Sequence, residues 1–163
     1  MPEAPSIQAI QTWERHSRQH GSGITAAQLA GRWTLEQLWD RTVTPQPALA
    51  ASLRLLQAQL QLLPEPTTAH PTRLAVRNSV AVGGLELRFD GWGGLQGRRP
   101  LLHFSFESLQ LSLGRWRLWQ QPLGEPAAAR RPFFALIATG TDGDGRWLLA
   151  RGRGGGLAYW RSP

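Results

Sequence analysis

Several groups of residues in this sequence have types and spacings that chemistry can use. His16 and His20 stand at i and i+4, where two imidazoles share one helix face and can hold a metal ion. Ser17, Arg18 and Gln19 lie between them, so no carboxylate ligand is placed there, and Arg15 and Arg18 oppose a cation. A solvated helix face is the plainer reading. Thr141-Asp142-Gly143-Asp144-Gly145 opens like a calcium loop, but Arg146 takes the next oxygen-ligand position and the closing glutamate is missing. Two Asp-Gly steps in succession read better as a hairpin turn. His103, Ser105 and Glu107 fall on one face of a strand, where alternate side chains stand about 6.5 Å apart. That is too far for direct nucleophile–base contact, so the trio reads as a polar outer face. No G-x-S-x-G occurs. Arg151-Gly152-Arg153-Gly154-Gly155-Gly156 resembles one unit of an RNA-binding tail, but apolar segments flank it and a tight turn explains it.

Tryptophan is unusually abundant, at 8 residues. Trp116 and Trp119 interleave with Arg115 and Arg117. Such a cluster suits stacking on a base, a tetrapyrrole or a carotenoid ring, or a place at a membrane interface. The competing reading is barrel packing behind an exposed arginine face.

The chain that must position these residues has 163 of them, enough for one domain with a sizeable core. With 41% hydrophobic and 18% charged residues it is no disordered chain. No apolar run approaches the ~20 residues of a spanning helix. Cysteine is absent, which excludes disulfides, thiolate metal sites and cysteine nucleophiles. The net charge is +7, and every basic residue is arginine. The all-arginine habit fits high-GC coding, yet a basic surface still attracts anionic membranes, nucleic acids or acidic partners. The N-terminus lacks a basic segment followed by an apolar one, so the reading is a cytosolic, bacterial protein.

Ser6 is placed to cap a helix running to His20, with Ile7, Ile10 and Trp13 on one face and Gly21 to Gly23 ending it. Ile24 to Ala30 makes a short turn or helix. Trp33 to Val43 reads as a strand, and Pro47 to Leu56 favours helix. From Gln57 the alternation of Gln and Ala or Leu has a strand's period, while Leu49, Leu53, Leu56, Leu60 and Leu63 fit a helix nearly as well. Both readings stay open there. From Arg73 onward the pattern is β. Leu74, Val76, Val80 and Val82 share one parity; Leu85, Leu87 and Phe89 follow. Leu102, Phe104 and Phe106 read as one strand, Leu109, Leu111 and Leu113 as another. Phe133 to Thr139, Arg146 to Ala150 and Leu157 to Arg161 complete the set, with breaks at Gly83-Gly84, Gly91 to Gly94, Arg99-Pro100, Gly114, Pro122 to Pro126, 141–145 and 152–156. About eight short two-faced strands joined by hairpins predict a mainly β fold, an antiparallel up-and-down barrel with an N-terminal helix.

Gly31-Arg32-Trp33, after the helix and opening the first strand, is similar to the G-x-W signature of lipocalin-type barrels. Trp147 to Gly152, followed by Arg153 to Trp160, resembles the C-terminal hairpin of the plastid lipid-associated protein (fibrillin) family. Val76-Arg77-Asn78-Ser79-Val80 resembles that family's Asn-Ser-Val strand, and Arg99 to Glu107 its Phe-x-Phe-Glu strand. The resemblance, to cyanobacterial-type members, runs from about Leu29 to the end. It departs where Leu35 to Trp39 replace a tyrosine-rich segment and 141–145 an acidic turn. It divides the chain into a helix and linker at 1–28 and a lipocalin-like domain at 29–163. It also implies that Gly31, Trp33 and Arg151 close the barrel, with Arg151 stacked on the Trp33 ring.

The function so implied is non-enzymatic binding of a lipid, carotenoid or quinone of photosynthetic membranes. Val76, Phe89, Phe104, Phe106, Trp116 and Phe134 are the expected cargo contacts. No catalytic residue, metal or cofactor is expected. The expected partners are a hydrophobic small molecule and, peripherally, an anionic thylakoid or plasma membrane; nucleic acid is not expected, the location is cytoplasmic, and the oligomeric state is open. The competing readings are a bilin-handling, chromophore lyase-like barrel and an interaction module whose barrel is filled by its own side chains.

Overall fold

Helix α1 (Ile7–His20) starts where the Ser6 hydroxyl accepts the Ala9 amide and stops at Gly21, whose φ of 81° suits glycine. The computed structural model describes residues 4–163; residues 1–3, the start of the expected N-terminal segment, lie outside the described residues. The face that α1 buries is Ile10, Glu14 and Ser17, with Trp13 beside them. Ile7, expected on that face, is exposed, because the stripe drifts toward Glu14 and Ser17 rather than back to the first turn. Trp13 stacks on Trp147 at 5.0 Å between ring centroids. Glu14 takes a two-pronged bond from Arg151 at 2.7 and 2.8 Å, with Arg18 at 3.0 Å. Burial pushes the Glu14 carboxyl up, but these arginines outweigh it and hold it below its ordinary value. So α1 is clamped on the barrel's outer wall, over Ile137, Leu149, Leu157 and Tyr159.

Thr25 caps the four-residue α2 (Ala26–Leu29), and Gln28 returns the bond, a capping box. The chain then enters β1 (Gly31–Trp39), α3 (Pro47–Leu55) with proline in its first turn, β2 (Gln59–Pro64) and β3 (Arg73–Val82). Next come β4 (Leu85–Gln96), β5 (Leu101–Leu113), β6 (Trp116–Pro122), β7 (Phe133–Asp142), β8 (Gly145–Gly152) and β9 (Leu157–Ser162). All pairings are antiparallel, in the order β4-β3-β2-β1-β9-β8-β7-β5, and β4 pairs with β5 to close a ring of eight. This is the mainly β barrel that the alternation predicts. The ninth strand, β6, hangs outside the ring on β5.

Five differences from the sequence reading have clear causes. The first strand ends at Trp39, not Val43. Asp40 folds the next residues into a turn by accepting the Thr42 and Thr44 amides, and Val43 takes a φ of 64°. The ambiguous Gln57 segment is strand from Gln59, after Gln57 itself breaks α3 with a φ of 48°. The segments ending at Phe106 and starting at Leu109 are one strand. A β-bulge at Glu107, opposite Asp90 and Gly91, shifts the parity between them. Gly91 to Gly94 lie inside β4 rather than ending it: a Cβ on Gly91 would sit 1.9 Å from the Ser105 carbonyl oxygen. The strand β6 was missed altogether, since its sequence, WRLWQQP, does not alternate.

Strand directions define two ends. At one end lie the start of β1, α2 and the β7–β8 turn. At the other lie Trp39, the β8–β9 turn, the start of β7, and the tips of the β3–β4 and β5–β6 hairpins. The first end is closed. Ile24, Leu29 and Trp33 fill it, and the Trp33 indole N–H donates to the Leu29 carbonyl at 2.8 Å. Arg146, not Arg151, lies over the Trp33 ring, 5.1 Å from its centroid. The register explains the exchange. Arg146 pairs with Ser162 at the closed end, whereas Arg151 pairs with Leu157 at the far end and turns outward to Glu14.

Candidate functional site

The open end carries a strongly apolar cavity, about 560 Å³ in volume. Leu35 and Leu38 of β1 and Ala158 and Trp160 of β9 form one wall, Phe134 of β7 another, and Leu49 and Leu53 of α3 the roof. The inward parity of β1 and β9 puts those residues on the barrel's inner face, continuous with the interior core. Leu49 and Leu53 are one helical turn apart, so α3 offers a leucine stripe to the opening. The Gly152 and Gly156 turn borders the rim. The size falls in the range of small-molecule sites, roughly 300–1,000 Å³.

Asp40 and Gln46 supply the polar edge, with the Gln46 side-chain amide donating to Asp40 at 3.4 Å. The Thr42 hydroxyl and the Thr44 amide hold the Asp40 carboxyl below the usual carboxylate range. The rim therefore presents a fixed negative charge to whatever enters beneath α3.

Of the residues expected to meet cargo, Phe134 lines this cavity. Phe104 and Phe106 extend from it. Ring centroids run from Trp160 to Phe134 at 6.5 Å, to Phe104 at 5.3 Å, to Phe106 at 5.5 Å and to Phe89 at 5.2 Å. This aromatic row leads from the pocket along the inner face to the root of the β3–β6 sheet. Val76 is buried in the interior, packed rather than lining the opening. Trp116 stands apart from the cavity, 64% exposed at the tip of β6. Sequence reasoning missed Leu35, Leu38, Leu49, Leu53, Ala158 and Trp160. The leucine stripe of α3 was visible but could not be placed over a barrel mouth without the tertiary fold.

The other candidates resolve into structure. Residues 141–145 form the β7–β8 turn, where Asp142 accepts the Asp144 amide and binds Arg161. Residues 152–156 form the β8–β9 turn, and Arg151 donates to the Gly155 carbonyl. His16 and His20 stack on each other on the exposed side of α1. Ser105, expected outside with His103 and Glu107, is buried at 2% exposure, while His103 packs on Phe133. Among the described residues no cluster of three metal-ligating side chains occurs, and no helix is long and apolar enough to cross a membrane. A second, more polar hollow of about 310 Å³ lies on the outer wall, where Arg73 and Arg131 both sit over Trp92.

Comparison with protein-family models, curated proteins and solved structures gave no match. The site therefore rests on its own geometry.

Proposed function

We propose that this chain is a non-enzymatic carrier of an apolar small molecule, held at the open rim beneath α3. The observation that carries this reading is the cavity of about 560 Å³ walled by leucines, Phe134 and Trp160. A buried methylene contributes ~0.8 kcal/mol, so a ten-carbon chain gains on the order of 8 kcal/mol. Association costs roughly 4–15 kcal/mol, so a simple chain binds weakly. Stacking on Phe134 and Trp160 adds about 0.5–1.5 kcal/mol per aromatic pair. Cargo that combines a ring with a chain is the best fit, and the charge of Asp40 at the rim disfavours a free carboxylate there. The short motifs similar to the plastid lipid-associated family agree in kind, pointing to carotenoids, quinones or lipids of photosynthetic membranes.

The test is titration with a neutral dansyl-alkyl probe. Wild type should enhance and blue-shift its emission saturably. Ala158→Trp, which fills the cavity from its wall, and Leu49→Glu, on the half-open roof, should each weaken binding at least tenfold. Equal uptake by folded Ala158→Trp and Leu49→Glu proteins contradicts the reading.

A further inference from the structure

Three strands of the ring, β3, β4 and β5, run past it on the pocket side, and β6 extends them to a sheet of four. β7 holds only Leu101 to His103 of β5, so β5 runs free of the barrel wall from the Glu107 bulge to Leu113, flanked by β4 and β6. Twisted pairing keeps one face of this tongue apolar. Across β3, β4, β5 and β6 one row reads Val80, Leu87, Leu111, Trp119, and the next reads Val82, Leu85, Leu113, Trp116. The second row and Trp119 are exposed: Trp116 64%, Val82 55%, Trp119 47% and Leu113 47%. Leu118, beside them at the irregularity in β6, is 53% exposed. Soluble domains rarely leave so many large apolar side chains together in water.

The tongue's other face is polar and self-neutralised. Arg77 binds Asp90 at 2.6 Å, and Arg88 binds Asp90 at 2.8 Å and Gln110 at 3.2 Å. The tip differs. Arg115 and Arg117 make no ion pair among the described residues, and Arg117 reaches only Gln120. Positive charge left free beside exposed tryptophans is complementary to an anionic lipid surface, where indoles settle at headgroup depth and arginines meet phosphates. Among the described residues the outer edge of β6 has no strand partner, so its backbone cannot enter hydrocarbon; only the side chains of the tip can.

We infer that the β3–β6 tongue docks this protein on anionic bilayers, with Trp116 and Trp119 at the headgroup level and Arg115 and Arg117 on lipid phosphates. Docking needs no cargo in the pocket, so it stands or falls separately from the carrier reading. It places the open rim, rather than the closed end, toward the membrane.

The test is co-sedimentation with phosphatidylcholine vesicles, with and without phosphatidylglycerol. Wild type should bind the anionic vesicles at least tenfold better than the neutral ones and lose binding in high salt. The Trp116→Ser/Trp119→Ser and Arg115→Gln/Arg117→Gln pairs, all at exposed positions, should each lose at least tenfold while melting like wild type. Bromolipids brominated near the headgroup should quench wild-type fluorescence more than those brominated at the chain end, and less so in the tryptophan pair. Equal binding to neutral vesicles, or unaltered binding by both variants, overturns the inference. So does a vesicle-free dimer that the tryptophan pair abolishes, which assigns the face to a second copy.

Discussion

At the closed end of the barrel, Ile24 and Leu29 plug the ring under a fully buried Trp33, and Arg146 covers that tryptophan while bonding Ser162 and the Gln28 carbonyl. At the open end, Leu49 and Leu53 only partly roof Phe134 and Trp160, and a four-stranded tongue leaves Trp116 and Trp119 in water. The same strands run through both ends, so backbone pairing does not make the difference. It lies in what caps each opening: a short helix with its plug on one side, a half-exposed leucine stripe and no plug on the other. Buried packing is concentrated where the ring is sealed, and exposed apolar surface where it is not.

The comparison breaks most readily at Trp33. Trp33→Ala empties a fully buried indole and should cost about 3–5 kcal/mol in chemical denaturation, a value typical of large aromatic truncations. A loss below 1 kcal/mol denies the closed end its sealing role. Next in size is the clamp on α1. Glu14→Gln leaves Arg151 without its charge partner in a part-buried place and should cost about 3 kcal/mol. Acid sharpens this prediction. Glu14 has an ordinary value of 4.5 and a lower one when folded, so its stabilisation is fully present above about pH 4.5. It is lost as pH falls through the folded value. In acid titration followed by tryptophan fluorescence, the wild type should therefore lose this stabilisation as pH falls below about 4.5, whereas Glu14→Gln, already less stable at neutral pH, should show a flatter loss over the same range.

Arg146→Gln removes the guanidinium over Trp33 and should cost about 0.5–2 kcal/mol in urea melts. Arg151→Gln should leave Trp33's environment untouched while loosening α1, separating the two arginines that the sequence motif alone cannot tell apart. The smallest effect belongs to the tongue. Trp116→Ser/Trp119→Ser should change stability by no more than about 0.5 kcal/mol per site, as exposed positions do. A larger loss means the tongue packs against something in the free protein.

Much of the barrel was legible because alternation is a local signal. Leu74 to Val82 and Leu85 to Phe89 declare their apolar faces residue by residue. The long β5 strand was not, because the bulge at Glu107 moves its apolar residues from even to odd positions and mimics a break. β6 escaped because Trp116 and Trp119 share a face only through the irregularity around Leu118. The site was legible in part. Phe134, Phe104 and Phe106 fall on one inward row, but the pocket's roof and its β9 wall depend on which strand closes the ring, and that is a long-range fact. The Arg151 exchange has the same origin: which arginine meets Trp33 depends on the β8–β9 register, not on the motif.

The central claim, that the open rim holds an apolar molecule, is tested most directly by organic extraction and mass spectrometry of the protein purified from its native host, beside Ala158→Trp treated identically. The account predicts one apolar compound near stoichiometric amount in wild type and its loss from the folded variant. An empty wild type that also fails to take up the dansyl-alkyl probe contradicts it.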